Sequence, residues 1–149
     1  MASPPGEADS VALPERPPTL NTYVADTHSL VWYLGTPARL GPLARDAFAE
    51  AASGRARVII PVIVLAEIIF AVERGRIRAD VRQIIRRIRS VAYLRVSPLR
   101  LATILRLQTL RQIPEMHDRI LVTETLVRKG SIITRDEAIT NSGVVVTVW

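Results

Sequence analysis

The chain has 149 residues, 48% of them hydrophobic, a formal net charge of +6 and no cysteine. That is one domain's worth of material with enough apolar content for a proper core, and it excludes a disulfide framework or a thiolate metal site. No apolar run reaches the roughly 18 residues of a membrane span and the start lacks a signal-peptide core, so the expected compartment is the cytoplasm.

Every basic residue except Lys129 is an arginine. Arginine's planar fork suits phosphate, although a GC-rich genome that writes Arg for Lys accounts for the same bias. Residues 1–20 hold five of the ten prolines and no periodic apolar pattern. They are expected to form a disordered tail, leaving residues 21–149 as the folded domain.

From Thr22 onward, short β-branched runs alternate with helical segments. Strands are expected at Thr22–Ala25, Val58–Ile60, Leu94–Val96, Ser131–Thr134 and Val144–Val148. Helices are expected at Pro42–Ala52, Val62–Glu73, Ala79–Ser90, Leu99–Gln112 and Asp118–Lys129, with Gly75 and Gly130 as stops and Asp80 and Asp118 at N-termini. Alternation of this kind implies an α/β fold, a three-layer sandwich with a central parallel sheet.

Ligands of such sheets bind outside the carboxyl ends of the strands, and acids gather there. Asp26 closes the first strand, and Asp136 follows "SIIT" by one residue. Glu67 lies in "IIPVIVLAEIIF", about two turns into the helix after the second strand, where its side chain leans back toward the strand end. Its neighbours are so apolar that no face of this helix is expected to be solvated, and an ionised Glu there must be paired or hold a cation. Asp118 opens the helix that leads into "SIIT". Each acid also has a simpler role open to it: N-caps for Asp26, Asp118 and Asp136, a neutral buried carboxyl for Glu67.

Jointly, four carboxylates at one rim repel one another unless hard cations sit among them, and oxygen-only ligands select Mg²⁺ or Mn²⁺. The chemistry that uses such sites is in-line displacement at phosphorus by metal-activated water. Thr27, Ser29 and Thr134 flank the strand-end acids and can orient them, with Glu137 beside Asp136 as a further supporting group. Glu124, six residues past Asp118, points to another side of its helix. His28, His117 and Trp32 read as structural.

"YVADTHSLVWYL", "IPVIVLAEI", "PEMHDRILVTETLVRKG" and "IITRDEAI" together resemble a PIN domain of the VapC-type toxin branch of bacterial toxin–antitoxin pairs. The resemblance covers nearly everything after Thr22. It implies a metal-dependent endoribonuclease in which Asp26, Glu67, Asp118 and Asp136 form the acidic quartet, catalytic and metal-binding, with Thr27 and Thr134 at polar positions beside it. It further implies an RNA substrate, a homodimer and a cognate antitoxin whose tail blocks the acidic pocket. The proline-rich start departs from the pattern, since such toxins often begin almost at the first strand.

"ERGRIRADVRQIIRRIRSVAYLR" sets an apolar stripe (Val81, Ile84, Ile85, Ile88, Val91) opposite Arg78, Arg82, Arg86 and Arg89. That row reads either as an arm for RNA phosphates beside the acidic pocket or as a solvated helix face. Aromatics for base stacking are scarce near it. P-loop and dinucleotide motifs are absent. A competing reading of another class is a non-catalytic module whose acidic pocket binds a metal or a basic peptide. Asp26→Asn is expected to abolish cleavage while leaving the fold intact, and to stabilise it without metal by relieving repulsion.

Overall fold

A computed structural model describes residues 19–149, so all but the last two residues of the expected tail lie outside the described residues. The five strands are β1 (Asn21–Ala25), β2 (Ala56–Pro61), β3 (Leu94–Ser97), β4 (Ser131–Ile133) and β5 (Val146–Val148). All pair in parallel in the order β3-β2-β1-β4-β5, with Val24 opposite Ile59 on one side and Ile132 on the other. Among the described residues seven helices cover both faces: α1 (Thr27–Gly35), α2 (Pro42–Ala52), α3 (Val62–Glu73), α4 (Val81–Ser90), α5 (Leu101–Arg106), α6 (Met116–Val127) and α7 (Glu137–Ser142). The three-layer α/β sandwich expected from the sequence is the fold.

Central strands need apolar side chains on both faces, and Val24, Ala25, Val58, Ile60, Ile132 and Ile133 are fully buried. Below the sheet Phe48 of α2 stacks on Tyr33 with ring centres 4.0 Å apart. β1 lies at the middle of the sheet, from which the chain grows outward through β2 and β3, then returns to the other side of β1. The reversal therefore falls between β1 and β4, the place where open α/β sheets form a crevice at their carboxyl edge.

Three expectations change. The helix expected over Leu99–Gln112 is only α5, followed by a tight 3-10 turn at Leu107–Thr109, although Leu110 and Ile113 beyond it are still buried. The stop of α6 is made by Lys129, which adopts the left-handed conformation (φ 51°) while the Gly130 N–H donates to the Thr125 carbonyl. Gly130 is required for another reason: a Cβ there would stand 2.3 Å from the Thr22 carbonyl oxygen of β1. Finally, α3 is not buried all round. Only Val64 and Ile68 are fully inside, while Val62, Ile69 and Phe70 are exposed, because a helix packed on one sheet face can bury only one stripe.

Candidate active site

β1 delivers Asp26 to the sheet's carboxyl edge, where it turns the chain into α1 as the N-cap. One carboxylate oxygen accepts from the Ser29 N–H at 2.7 Å and the other from the Thr134 hydroxyl at 2.5 Å. Ser29, fully buried, also donates its hydroxyl to the Asp26 carbonyl. Asp26 is 9% exposed. Burial pushes its carboxyl upward from the ordinary range, against the hydrogen bonds of Thr134 and Ser29 and the nearby His28.

Thr134 has a second duty. Its hydroxyl oxygen accepts from the Asp136 N–H at 3.0 Å, so a single hydroxyl ties the acid after β1 to the acid after β4. Asp136 caps α7 by accepting from the Ile139 N–H at 3.0 Å. Both strand-end acids thus perform the simpler capping role and face the crevice as well.

Glu67 leans back along α3 as its position requires, and one oxygen accepts from the Thr27 hydroxyl at 3.0 Å. Its other oxygen, Oε1, is buried with no partner among the described residues. Asp118 departs from expectation in one respect: the N-cap of α6 is Glu115, and Asp118 stands inside the first turn, accepting no hydrogen bond from a described residue. Its carboxyl is pushed up to about 6, first by burial and then by Asp136, Glu67, Glu115 and Asp26.

The four acids, from four separate segments, line one cavity of about 510 Å³ together with Thr27, His28, Arg135 and Glu137. A set of carboxylate oxygens, one of them buried and unpartnered, suits a hard divalent cation. Among the described residues no three acids or histidines come close enough together to hold a metal ion jointly. Mg²⁺ keeps several waters and binds through one or two carboxylates, so an open arrangement still fits it.

The arginine row is elsewhere. Arg82, Arg86 and Arg89 are exposed on α4 and Arg78 precedes that helix, and none of the four lines the acidic cavity. Arg74 and Arg76 come nearer, bordering an adjoining cavity of about 530 Å³ that shares Thr27, His28 and Glu67 with the acidic one. The residue that sequence reasoning passed over is Arg135, the cation in the lining of the acidic cavity. Its place between Thr134 and Asp136 was the available signal. Glu124 does point away, only 4% exposed and held by Ser97, Thr103 and Arg128.

A family model described as "PIN domain" matches residues 23–143, most of the chain. The chain belongs to the PIN domain family. No curated protein matches it. Among solved structures, the crystal structure of VapBC2 from Rickettsia felis bound to a DNA fragment from their promoter is similar, with a TM-score of 0.62 and 13% identity, covering 85% of this chain and 96% of that one. At that identity the likeness speaks for the fold of this PIN domain.

Proposed function

We propose that this PIN domain is a divalent-metal-dependent endoribonuclease, the toxin of a type II toxin–antitoxin pair acting in the cytoplasm. The observation that carries the reading is the meeting of Asp26, Glu67, Asp118 and Asp136 in one cavity, with Asp118 raised by burial and then by its acidic neighbours and a Glu67 oxygen left without a partner among the described residues. The quartet would hold Mg²⁺ or Mn²⁺. Such a cation, when bound, supplies Lewis-acid polarisation of the phosphoryl group and a more acidic water.

The chain's own residues do the positioning. Thr134 and Ser29 hold both oxygens of Asp26 in place, so that the acid is oriented before any ligand arrives. Thr27 does the same for Glu67. Repulsion from Asp136, Glu67 and Asp26 at Asp118 gives the cluster a preference for incoming positive charge.

Two partnerships belong to the same reading. A homodimer is supported by the apolar surface that one copy leaves uncovered: Leu101 of α5 is 73% exposed and Leu105 is 59% exposed, with Phe70 of α3 at 56%. A cognate antitoxin is supported by the motif resemblance and by the fold likeness to VapBC2.

The test uses partner-free protein, structured RNA and Mg²⁺ or Mn²⁺. Cleavage that disappears in chelator and in Asp26→Asn is expected. Equal cleavage in both proteins refutes the nuclease and favours a pocket that binds a metal or a basic peptide without cutting.

A further inference from the structure

The acidic cavity does not stop at Asp136. Arg135 and Glu137, which line it, also line a second cavity of about 580 Å³ walled by Thr134, Thr140, Asn141, Thr147 and Trp149. It is an open depression on the surface, not an enclosed pocket. Its side chains differ from those of the quartet: hydroxyls, an amide, an indole, a guanidinium and the Glu137 carboxylate.

Arg135 is exposed and makes no ion pair with a described residue, although it adjoins a cluster of carboxylates. Its guanidinium instead stands 4.6 Å from the ring centre of Trp32 and 6.0 Å from that of Trp149. Arg39 lies over the same Trp32 ring at 4.4 Å. The platform beneath them is firm: Trp32 is buried, the two indoles meet edge to face at 5.5 Å, and the Trp149 carbonyl accepts from the Leu43 N–H at 3.2 Å. A cation held on ring faces keeps its N–H fork free for an incoming anion.

We propose that this second cavity is a nucleotide subsite that receives the RNA residue next to the scissile phosphate. Arg135 binds that residue's phosphate, and Trp149 and Asn141 receive its base. The proposal rests on the ribonuclease reading and deepens it by giving the strand a path: across the β4–α7 side of the pocket, not along the arginines of α4, which line neither cavity. A stacked base and a charge-assisted phosphate contact are the two elements that single-strand binders combine.

The experiment measures binding of a fluorescent single-stranded RNA to full-length Asp26→Asn protein with Mg²⁺, by anisotropy across a salt series. Adding Arg135→Ala is expected to weaken binding roughly tenfold and to reduce the log–log salt slope by about 0.7, the share of one phosphate contact. Arg135→Lys restores the slope without full affinity, because the charge returns without the fork. Asn141→Ala, at an exposed position that the fold does not need, weakens binding of an ordinary strand but not of an abasic one. In the cleaving protein Arg135→Ala raises KM more than it lowers kcat.

An unchanged slope in Arg135→Ala, or a larger loss in Arg86→Ala than in Arg135→Ala, overturns the subsite while the ribonuclease stands, as would be found if the cavity served a protein partner. If the parent chain neither binds nor cuts RNA, both readings fall together.

Discussion

Asp118→Asn separates electrostatic strain from packing. The carboxyl of Asp118 is raised from 3.8 to about 6 by partial burial and by four neighbouring acids, and no described residue donates a hydrogen bond to it. A rise of that size corresponds to roughly 3 kcal/mol at about 1.4 kcal/mol per pH unit, and half-exposure with solvent screening reduces it to about 1.5 kcal/mol. Loss of a negative charge from the first turn of α6 takes back roughly 0.5 kcal/mol of helix-dipole interaction. The net expectation is that the variant is about 1 kcal/mol more stable without metal at pH 7.5, a rise in Tm of roughly 2–4 °C for a chain of this size.

The sign follows from proton linkage. A carboxyl whose folded pKa lies above its unfolded value costs stability above about 6 and costs nothing below about 3.8, so the wild type recovers as pH falls through that window and the gap closes. Mg²⁺ reverses the order, since a ligand that binds the folded state stabilises the protein that binds it better. Thermal melts in chelator at pH 7.5 and pH 4, then with added Mg²⁺, check all three. A variant no more stable than wild type in chelator at pH 7.5, or a gap that ignores pH, refutes the reasoning.

Other outcomes follow from single contacts. Glu67→Gln keeps an acceptor for the Thr27 hydroxyl, so a melt within about 1 kcal/mol of wild type is expected together with a loss of at least ~100-fold in RNA cleavage; comparable activity would remove Glu67 from the site. Glu124→Ala deprives Ser97, Thr103 and Arg128 of their shared acceptor and should lower stability by about 3 kcal/mol in urea denaturation. Gly130→Ala drives a methyl into the Thr22 carbonyl oxygen and should cost at least ~2 kcal/mol by the same assay, with loss of the β1–β4 pairing.

The stabilisation by Asp26→Asn that charge alone suggests is not the cleaner case. Both oxygens of Asp26 accept hydrogen bonds, so an amide there keeps only one acceptor and must turn its N–H₂ toward the Thr134 hydroxyl, which then has to rotate its proton elsewhere, or toward the Ser29 N–H. Sequence could place Asp26 at a strand end but could not display the Thr134 hydroxyl, 108 residues away, that occupies its second oxygen. The same limit explains Arg135. Local pattern shows an arginine between a threonine and an aspartate, whereas its stacking on Trp32 and Trp149 exists only once α1 and β5 are folded against β4. What was legible was periodic: β-branched runs gave the strands, and an acid embedded in "IVLAEIIF" marked a carboxylate that needed a reason. Helix ends were less legible because Lys129, not the glycine after it, takes the left-handed conformation, while that glycine answers to a neighbouring strand.

Two carboxylates on α6 make the contrast that bears most on function. Glu124 is nearly fully buried, and the fold surrounds it with two hydroxyls and a guanidinium, the treatment expected of a structural acid. Asp118, nearly two turns earlier on the same helix, receives no such donor, and its carboxyl is pushed up to about 6, first by burial and then by the like charges around it. A fold able to satisfy one acid so completely has donors of the right kind within reach of α6, yet it leaves the other in a repulsive cluster at the switch point of the sheet. Repulsion maintained beside a satisfied neighbour is a stability cost without structural return, and it is recovered only when something positive occupies the crevice. Arg135, meanwhile, rests on two indoles and makes no ion pair with the carboxylates whose cavity it lines.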